Sequence, residues 1–147
     1  MVSTATRTAT HSGVGRITLI LIGASIVAVA LNALIATAAT ASGAPAQYGP
    51  LLPPAYASMT IVGVVIGWFG WRAVRARARN PRRTLAVLVP VVGVLSFVPD
   101  VVLLVTGFVP GTTGAAVLAL MTMHVATIAV AVPSYVLASR PQRTATA

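Results

Sequence analysis

The sequence has no cysteine, no lysine and no glutamate, and its single acidic residue is Asp100. Without cysteine, the chain cannot form a disulfide scaffold, a thiolate metal site or a cysteine nucleophile. Charged residues make up 7% of the 147 positions, whereas a soluble domain carries roughly a quarter. A water-soluble globule is therefore excluded, because the chain lacks the polar surface that would cover one. Intrinsic disorder is excluded as well, since 57% of the residues are hydrophobic.

What the sequence has in abundance is long apolar runs. A helix needs about 20 apolar residues to cross a bilayer, and four runs approach or exceed that length. Inside lipid, such runs satisfy their backbone groups by forming helices. We therefore predict an all-α fold, a four-helix transmembrane bundle with antiparallel, up-down-up-down topology in which sequence neighbours pack together. The predicted spans are 17–39, 56–75, 84–108 and 112–138, within a membrane domain of 15–140 flanked by mobile tails at 1–14 and 141–147.

All ten arginines fall on one side of this topology. Arg7 and Arg16 precede the first span, Arg140 and Arg143 follow the fourth, and the other six lie between the second and third spans. The positive-inside rule then places both termini in the cytoplasm. We expect the six to contact anionic lipid head groups and not nucleic acid, because no nucleic-acid-binding module accompanies them. These six are Arg72, Arg75, Arg77, Arg79, Arg82 and Arg83.

The first span has an alternative interpretation. Its basic flank, its apolar run and the small residues at 36–44 resemble a signal peptide followed by a cleavage site. The apolar core of a signal peptide is about 7–15 residues long, whereas this run is longer and contains Asn32. We therefore favour a retained span. Cleavage would leave three spans with the N-terminus outside.

Asp100 and His124 give the strongest indication of a site. An ionisable side chain inside a span faces the bundle interior or water and has a partner. Counting inward from the outer end of each span places Asp100 about 12 Å deep and His124 about 18 Å deep. Side chains lean toward the N-terminus of their own helix, so these two converge from antiparallel spans. Asn32, at the depth of Asp100, and Ser96, one turn from Asp100, complete a predicted buried polar cluster.

This cluster has two interpretations. Polar side chains that hydrogen-bond across helices stabilise a membrane bundle by about 0.6–2 kcal/mol each. Intramembrane Asp–His pairs also form proton relays and substrate sites. We predict a structural or partner-interacting membrane protein, with a small proton-coupled transporter or carrier subunit using Asp100 and His124 as the alternative. Ser96, His124 and Asp100 could form a Ser–His–Asp trio by residue type, but Ser96 and Asp100 share one helix face and no oxyanion hole is visible, so we expect no enzyme. We expect neither a metal nor a cofactor.

Small residues and prolines mark positions where helices pack closely or bend. Small residues four apart let helices approach each other, either within the chain or in a homodimer or another membrane-protein complex. Proline inside a helix removes a hydrogen bond and kinks it. The predicted packing residues are Ala28, Gly63, Gly67, Ala115 and Ala119, and the predicted kinks are at Pro90, Pro99 and Pro133.

Four short segments occur in a familiar order along the chain. They are Asn-Ala-Leu at 32–34, Asn-Pro-Arg-Arg at 80–83, Ser-Phe-Val-Pro-Asp at 96–100 and Leu-Met-Thr-Met-His at 120–124. With them, the sequence resembles a family of small four-span membrane proteins of unknown function from high-GC Gram-positive bacteria. The resemblance implies a four-helix plasma-membrane protein and gives weight to Asn32, Asp100 and His124 as motif positions. The resemblance implies no particular activity.

Overall fold

The computed structural model describes residues 8–140, which form helices, the segments between them and two residues after the last helix, with no strand in this range. The predicted tail at 141–147 and residues 1–7 of the predicted tail at 1–14 lie outside the described residues. From Thr8 onward, the N-terminal segment already belongs to the first helix. The predictions of an all-α fold and of four helices long and apolar enough to cross a membrane are confirmed.

Five α-helices build the four apolar segments. The helices are α1 (Thr8–Ala41), α2 (Pro53–Arg77), α3 (Pro81–Leu95), α4 (Val98–Thr106) and α5 (Gly114–Ala138), with a short 3-10 turn at Gly49–Leu51 before α2. The segments that are long and apolar enough to cross a membrane are Gly13–Ala41, Pro53–Arg77, Pro81–Thr106 and Gly114–Ala138.

Side-chain hydrogen bonds and a glycine mark the ends of three helices. The side chain of Asn80 accepts a hydrogen bond from the backbone N–H of Arg83 at 3.3 Å, and Thr113 accepts one from Ala116 at 3.2 Å. These contacts satisfy backbone donors that have no partner in the first helical turn. Helix α4 ends at Gly107, whose φ of 60° lies in the left-handed region that favours glycine.

The third apolar segment is interrupted at 96–97 and forms the two helices α3 and α4. Pro99 lies in the first turn of α4, where its missing N–H leaves no helical hydrogen bond unmade. The structure therefore has a helix break where we predicted a kink, and Asp100 belongs to the first turn of a new helix. Pro90 and Pro133 lie inside α3 and α5, which continue through them.

Helix α1 packs most extensively against α5 and next against α2, so the first and last helices are neighbours. The buried face of α1 is a stripe of small side chains at every fourth position, with Ala28 fully buried. On α5, Ala119 is buried and Ala115 is half-buried. Small residues at this spacing let two helix backbones approach each other. The stripe consists of Ala24, Ala28, Asn32 and Ala36.

Arg16 connects the start of α1 to the end of α5. Its guanidinium donates to the backbone oxygens of Leu137 at 3.0 Å and Arg140 at 3.1 Å, at the helix C-terminus where a positive charge is favourable. Nearby, Nε1 of Trp71 in α2 donates to Oγ of Ser139 at 3.1 Å. The start of α1 and the ends of α2 and α5 therefore lie together. We name this the arginine end of the bundle, because it also carries the arginine-rich connection between α2 and α3.

Candidate functional site

A cavity of about 940 Å³ lies between α2, α3, α4 and α5, and Asn32 of α1 contributes to its wall. It extends along α2 from Tyr56 to Trp71, a length of about 22 Å at the rise of an α-helix. Most of the lining side chains are apolar. Its rim includes exposed side chains such as Met59 of α2 and Val92 of α3. The cavity is therefore open to the surroundings of the bundle.

Asp100 and His124 approach each other on the wall of this cavity. Asp100 of α4 is 4% exposed, and the side chain of His124 of α5 is half-exposed. Nε2 of His124 lies 3.3 Å from Oδ2 of Asp100, which is an ion-pair distance. The contact does not meet hydrogen-bond geometry, so Oδ2 is left without a hydrogen bond from the described residues. The ring of Phe97, at the helix break, lies 6.3 Å from the imidazole ring.

Asn32 connects three helices. Its Nδ2 donates to Oγ1 of Thr60 in α2 at 2.8 Å and to Oγ1 of Thr127 in α5 at 3.2 Å. The hydroxyl of Thr60 itself donates to the backbone oxygen of Tyr56 at 2.6 Å, so Oγ1 of Thr60 has only acceptor capacity left for Asn32. This arrangement fixes the amide group, with the NH₂ toward the threonines and Oδ1 on the other side.

Two buried side-chain oxygens lack a hydrogen-bond partner among the side chains that the structure describes: Oδ1 of Asn32 and Oδ2 of Asp100. We name these two atoms the open acceptors. Both residues line the cavity, and they are 2% and 4% exposed. Thr127, which is bonded to Asn32, lies three residues after His124, so Asn32 and Asp100 contact α5 at positions about one helical turn apart. Leaving such an atom unsatisfied costs about 1–3 kcal/mol.

All four residues of the predicted polar cluster line this one cavity: Asn32, Ser96, Asp100 and His124. Their hydrogen bonds do not join them into one network. Ser96 donates to the backbone oxygen of Gly93 in its own helix at 2.6 Å, because the helix break leaves a carbonyl within its reach. Asn32 bonds to threonines, and the Asp100–His124 pair lies beside them.

Sequence reasoning missed Thr60 and Thr127. Threonine is common in apolar helices, where its hydroxyl can bond to the preceding turn, so neither residue stood out. The available signal was spacing, because Thr127 follows His124 by three residues and therefore shares its helix face. Thr60 carried no comparable signal.

Gly67 makes room for Tyr135 within the chain. The Tyr135 hydroxyl donates to the backbone oxygen of Val64 at 2.6 Å, and its ring centroid lies 5.8 Å from those of Trp68 and Trp71. A Cβ at position 67 would lie 2.5 Å from the Tyr135 hydroxyl oxygen. The absence of a side chain at Gly67 therefore permits the hydrogen bond between α5 and α2.

Gly63 faces open space in the cavity. A Cβ added there, or at Gly70 on the same helix, would meet no atom within 4 Å. Both glycines line the cavity, so they widen it along α2. Gly67 therefore packs closely within the chain, whereas Gly63, although predicted as a packing residue, is exposed and packs against no other helix of the described residues.

The six arginines predicted to contact lipid are exposed at the arginine end, in the last turns of α2, in the connection and in the first turn of α3. Exposed guanidinium groups suit phosphate oxygens because they present several donors in a planar fork. For a metal, the described part of the chain offers only a pair, since no three His, Cys, Asp or Glu side chains lie together in it.

Neither the comparison with curated proteins nor that with solved structures finds a match for this chain. A family model described as a family of unknown function, DUF6069, matches residues 12–141. The match includes all four apolar segments and every residue that lines the cavity. The expectation of a family of unknown function with four apolar helices is confirmed. The chain therefore belongs to DUF6069, a family of unknown function.

Proposed function

We propose that this chain is a small multi-pass protein of the plasma membrane whose cavity binds an amphipathic molecule drawn from the bilayer. The observation that carries the proposal is a mostly apolar cavity with Asp100 and Asn32 in its wall, each with one buried side-chain oxygen that has no hydrogen-bond partner among the described residues. Ligand sites combine such apolar walls with a few convergent polar groups. An apolar body would fill the cavity, and a polar group would reach Asp100 or Asn32.

The rim of the cavity supports access from lipid. Exposed apolar side chains border it on α2 and α3, namely Met59, Ile66, Leu88 and Val92. In a bilayer, these side chains contact acyl chains, so a hydrophobic molecule can enter without crossing water. An empty apolar cavity forfeits dispersion contacts along its wall, so occupation by an apolar chain stabilises the bundle.

Filling the cavity tests the proposal. We expect Gly63→Leu to lower photolabelling of Met123 by a diazirine-bearing long-chain alcohol in lipid nanodiscs. A Cβ at Gly63 meets no atom within 4 Å, so the leucine side chain extends into the cavity, and losing an apolar contact of that size is worth about tenfold in occupancy. Labelling is measured by peptide mass spectrometry, as the ratio of label at the buried, cavity-lining Met123 to label at the exposed Leu19 of α1.

The matched control is Gly23→Leu. This glycine of α1 also has open space around it and is exposed, but it does not line the cavity described above. We expect it to leave the labelling ratio at the wild-type value. If Gly63→Leu also leaves that ratio unchanged, the cavity is not a binding site for alkyl molecules.

We further propose that the arginine end faces the cytoplasm, with both termini on that side and the first span retained. The one-sided arginines support the orientation, and the α1 stripe packed on α5 supports a retained first helix. The arginine-rich, lysine-free composition supports a source with a GC-rich genome, in keeping with the bacterial family that the sequence resembles. The exposed arginines would bind anionic lipid head groups of the inner leaflet.

Single cysteines test this orientation, because the chain has no cysteine of its own. We expect Gln47→Cys, between α1 and α2, to react with a membrane-impermeant maleimide in intact cells. We expect Ala78→Cys, between α2 and α3, to react only after the cells are permeabilised. Labelling of both positions from the same side contradicts the proposed topology.

The interrupted third segment beside Asp100 favours a second candidate, a proton-coupled carrier. In transporters, broken helices at membrane depth line the substrate site. A carrier shares the binding step with the first candidate and adds transfer across the bilayer. Uptake of the alcohol into vesicles that depends on an imposed pH gradient, and that is lost in Asp100→Asn, distinguishes the two. Neither candidate requires catalysis, in keeping with our expectation that the protein is not an enzyme.

A further inference from the structure

Resting on the proposed function, we infer that the ligand is a lipid-like molecule whose head group donates a hydrogen bond to Asp100, with Asn32 as the second acceptor. Both open atoms are oxygens that can only accept when Asp100 is ionised. A hydroxyl or an amine head group satisfies them. An ether or ester head group brings only further acceptors and leaves both oxygens without a donor.

Asn32 cannot offer a donor to the ligand instead. Turning its amide over would set Oδ1 against Oγ1 of Thr60, whose hydrogen is already committed to the backbone oxygen of Tyr56. Two acceptors would then face each other at 2.8 Å. The hydrogen bonds of Thr60 therefore hold Oδ1 in the acceptor position and select for a donor on the other side.

Asp100 is the stronger of the two acceptors. In its ionised form the carboxylate carries charge, and hydrogen bonds to charged acceptors are roughly twice as strong as neutral ones. The imidazole of His124 lies 3.3 Å from the same oxygen without forming a hydrogen bond, so a ligand donor has no competing hydrogen bond to displace there. Because the cavity continues from Tyr56 to Trp71, the apolar chain of the ligand has space along the bundle.

Competition between two unlabelled ligands tests the inference. In wild-type nanodiscs, we expect a long-chain alcohol to displace the diazirine probe from Met123 at about a tenfold lower concentration than the methyl ether of the same chain. Asp100→Leu removes the charged acceptor without adding a polar atom, and we expect it to narrow that difference to about threefold or less. The control Val101→Leu changes the exposed apolar neighbour of Asp100, which does not line the cavity, and keeps the tenfold difference.

The outcomes separate this inference from the proposed function. Equal displacement by alcohol and ether, with labelling still lowered by Gly63→Leu, overturns donor recognition and leaves binding in place. Labelling that responds to neither competitor nor to Gly63→Leu overturns the proposed function itself. An unchanged preference in Asp100→Leu overturns the assignment to Asp100. If Asp100→Leu fails to fold, the isosteric Asp100→Asn replaces it, with the same narrowing expected because the charge is lost.

Discussion

Replacing Gly67 by alanine is expected to destabilise the bundle by about 2 kcal/mol, within the range for overpacking a filled interior. The new Cβ would lie 2.5 Å from the Tyr135 hydroxyl oxygen. That hydroxyl has little freedom to retreat, because it is bonded to the backbone oxygen of Val64 and its ring packs between Trp68 and Trp71. The substitution therefore breaks the hydrogen bond or displaces the three aromatic rings.

Unfolding of the purified protein in mixed micelles, followed by tryptophan fluorescence, measures this effect. Trp68 and Trp71 flank Tyr135, so the fluorescence reports on the affected region. The control is Gly70→Ala, one turn along α2, where an added Cβ meets nothing within 4 Å. Alanine is up to about 1 kcal/mol more favourable than glycine in a helix, so this control is expected to be neutral or stabilising. Equal losses in both variants contradict the clash at Gly67.

Replacing Asn32 by alanine is expected to lower the free energy of unfolding by about 2–3 kcal/mol. The side chain is 2% exposed and donates two hydrogen bonds to other helices, each worth about 0.6–2 kcal/mol in a membrane protein. Truncation also leaves a void at the contact between α1, α2 and α5. Relief of the unsatisfied Oδ1 offsets part of this loss, so the expected cost is smaller than the full sum of these contributions.

A comparison with another polar residue of α1 isolates the contribution of the hydrogen bonds between helices to stability. The hydroxyl of Thr37 is exposed and donates to the backbone oxygen of Ala33 in its own helix, so Thr37→Ala is expected to change stability by less than about 0.5 kcal/mol. Because Asn32 and Thr60 are bonded, the double variant Asn32→Ala/Thr60→Val is expected to lose less than the sum of the single variants. Strict additivity would contradict a bond between the two side chains.

The positions of the helices were predictable because bilayer thickness dictates the length of an apolar run. The predicted spans 56–75 and 112–138 differ from the helical segments Pro53–Arg77 and Gly114–Ala138 by two or three residues at most. The break at 96–97 was not predictable from Pro99 alone. A proline kinks or ends a helix according to how the surrounding backbone groups are satisfied. At this break the Ser96 hydroxyl donates to the backbone oxygen of Gly93, which the sequence did not indicate.

The part of the candidate site that depends on depth along the bundle was predictable from the sequence. Counting residues predicted that Asp100 and His124 converge, and the structure places Nε2 3.3 Å from Oδ2. The count carries no information on how each helix is rotated about its axis, so the threonine partners of Asn32 were missed. Short connections also suggested that sequence neighbours pack together, whereas α1 packs mainly against α5. That contact depends on the small residues of α1 and not on loop length.

The contact between α1 and α5 has a consequence for biogenesis. A ribosome delivers the chain from its N-terminus, so α1 enters the bilayer before the helix that buries its small-residue face exists. During this interval, Asn32 has no Thr127 to bond to and Arg16 has no carbonyl of Leu137 to cap. The contact between α1 and α5 therefore forms only after the last helix is inserted. A chain truncated before α5 leaves the small-residue face of α1 without the helix that buries most of it.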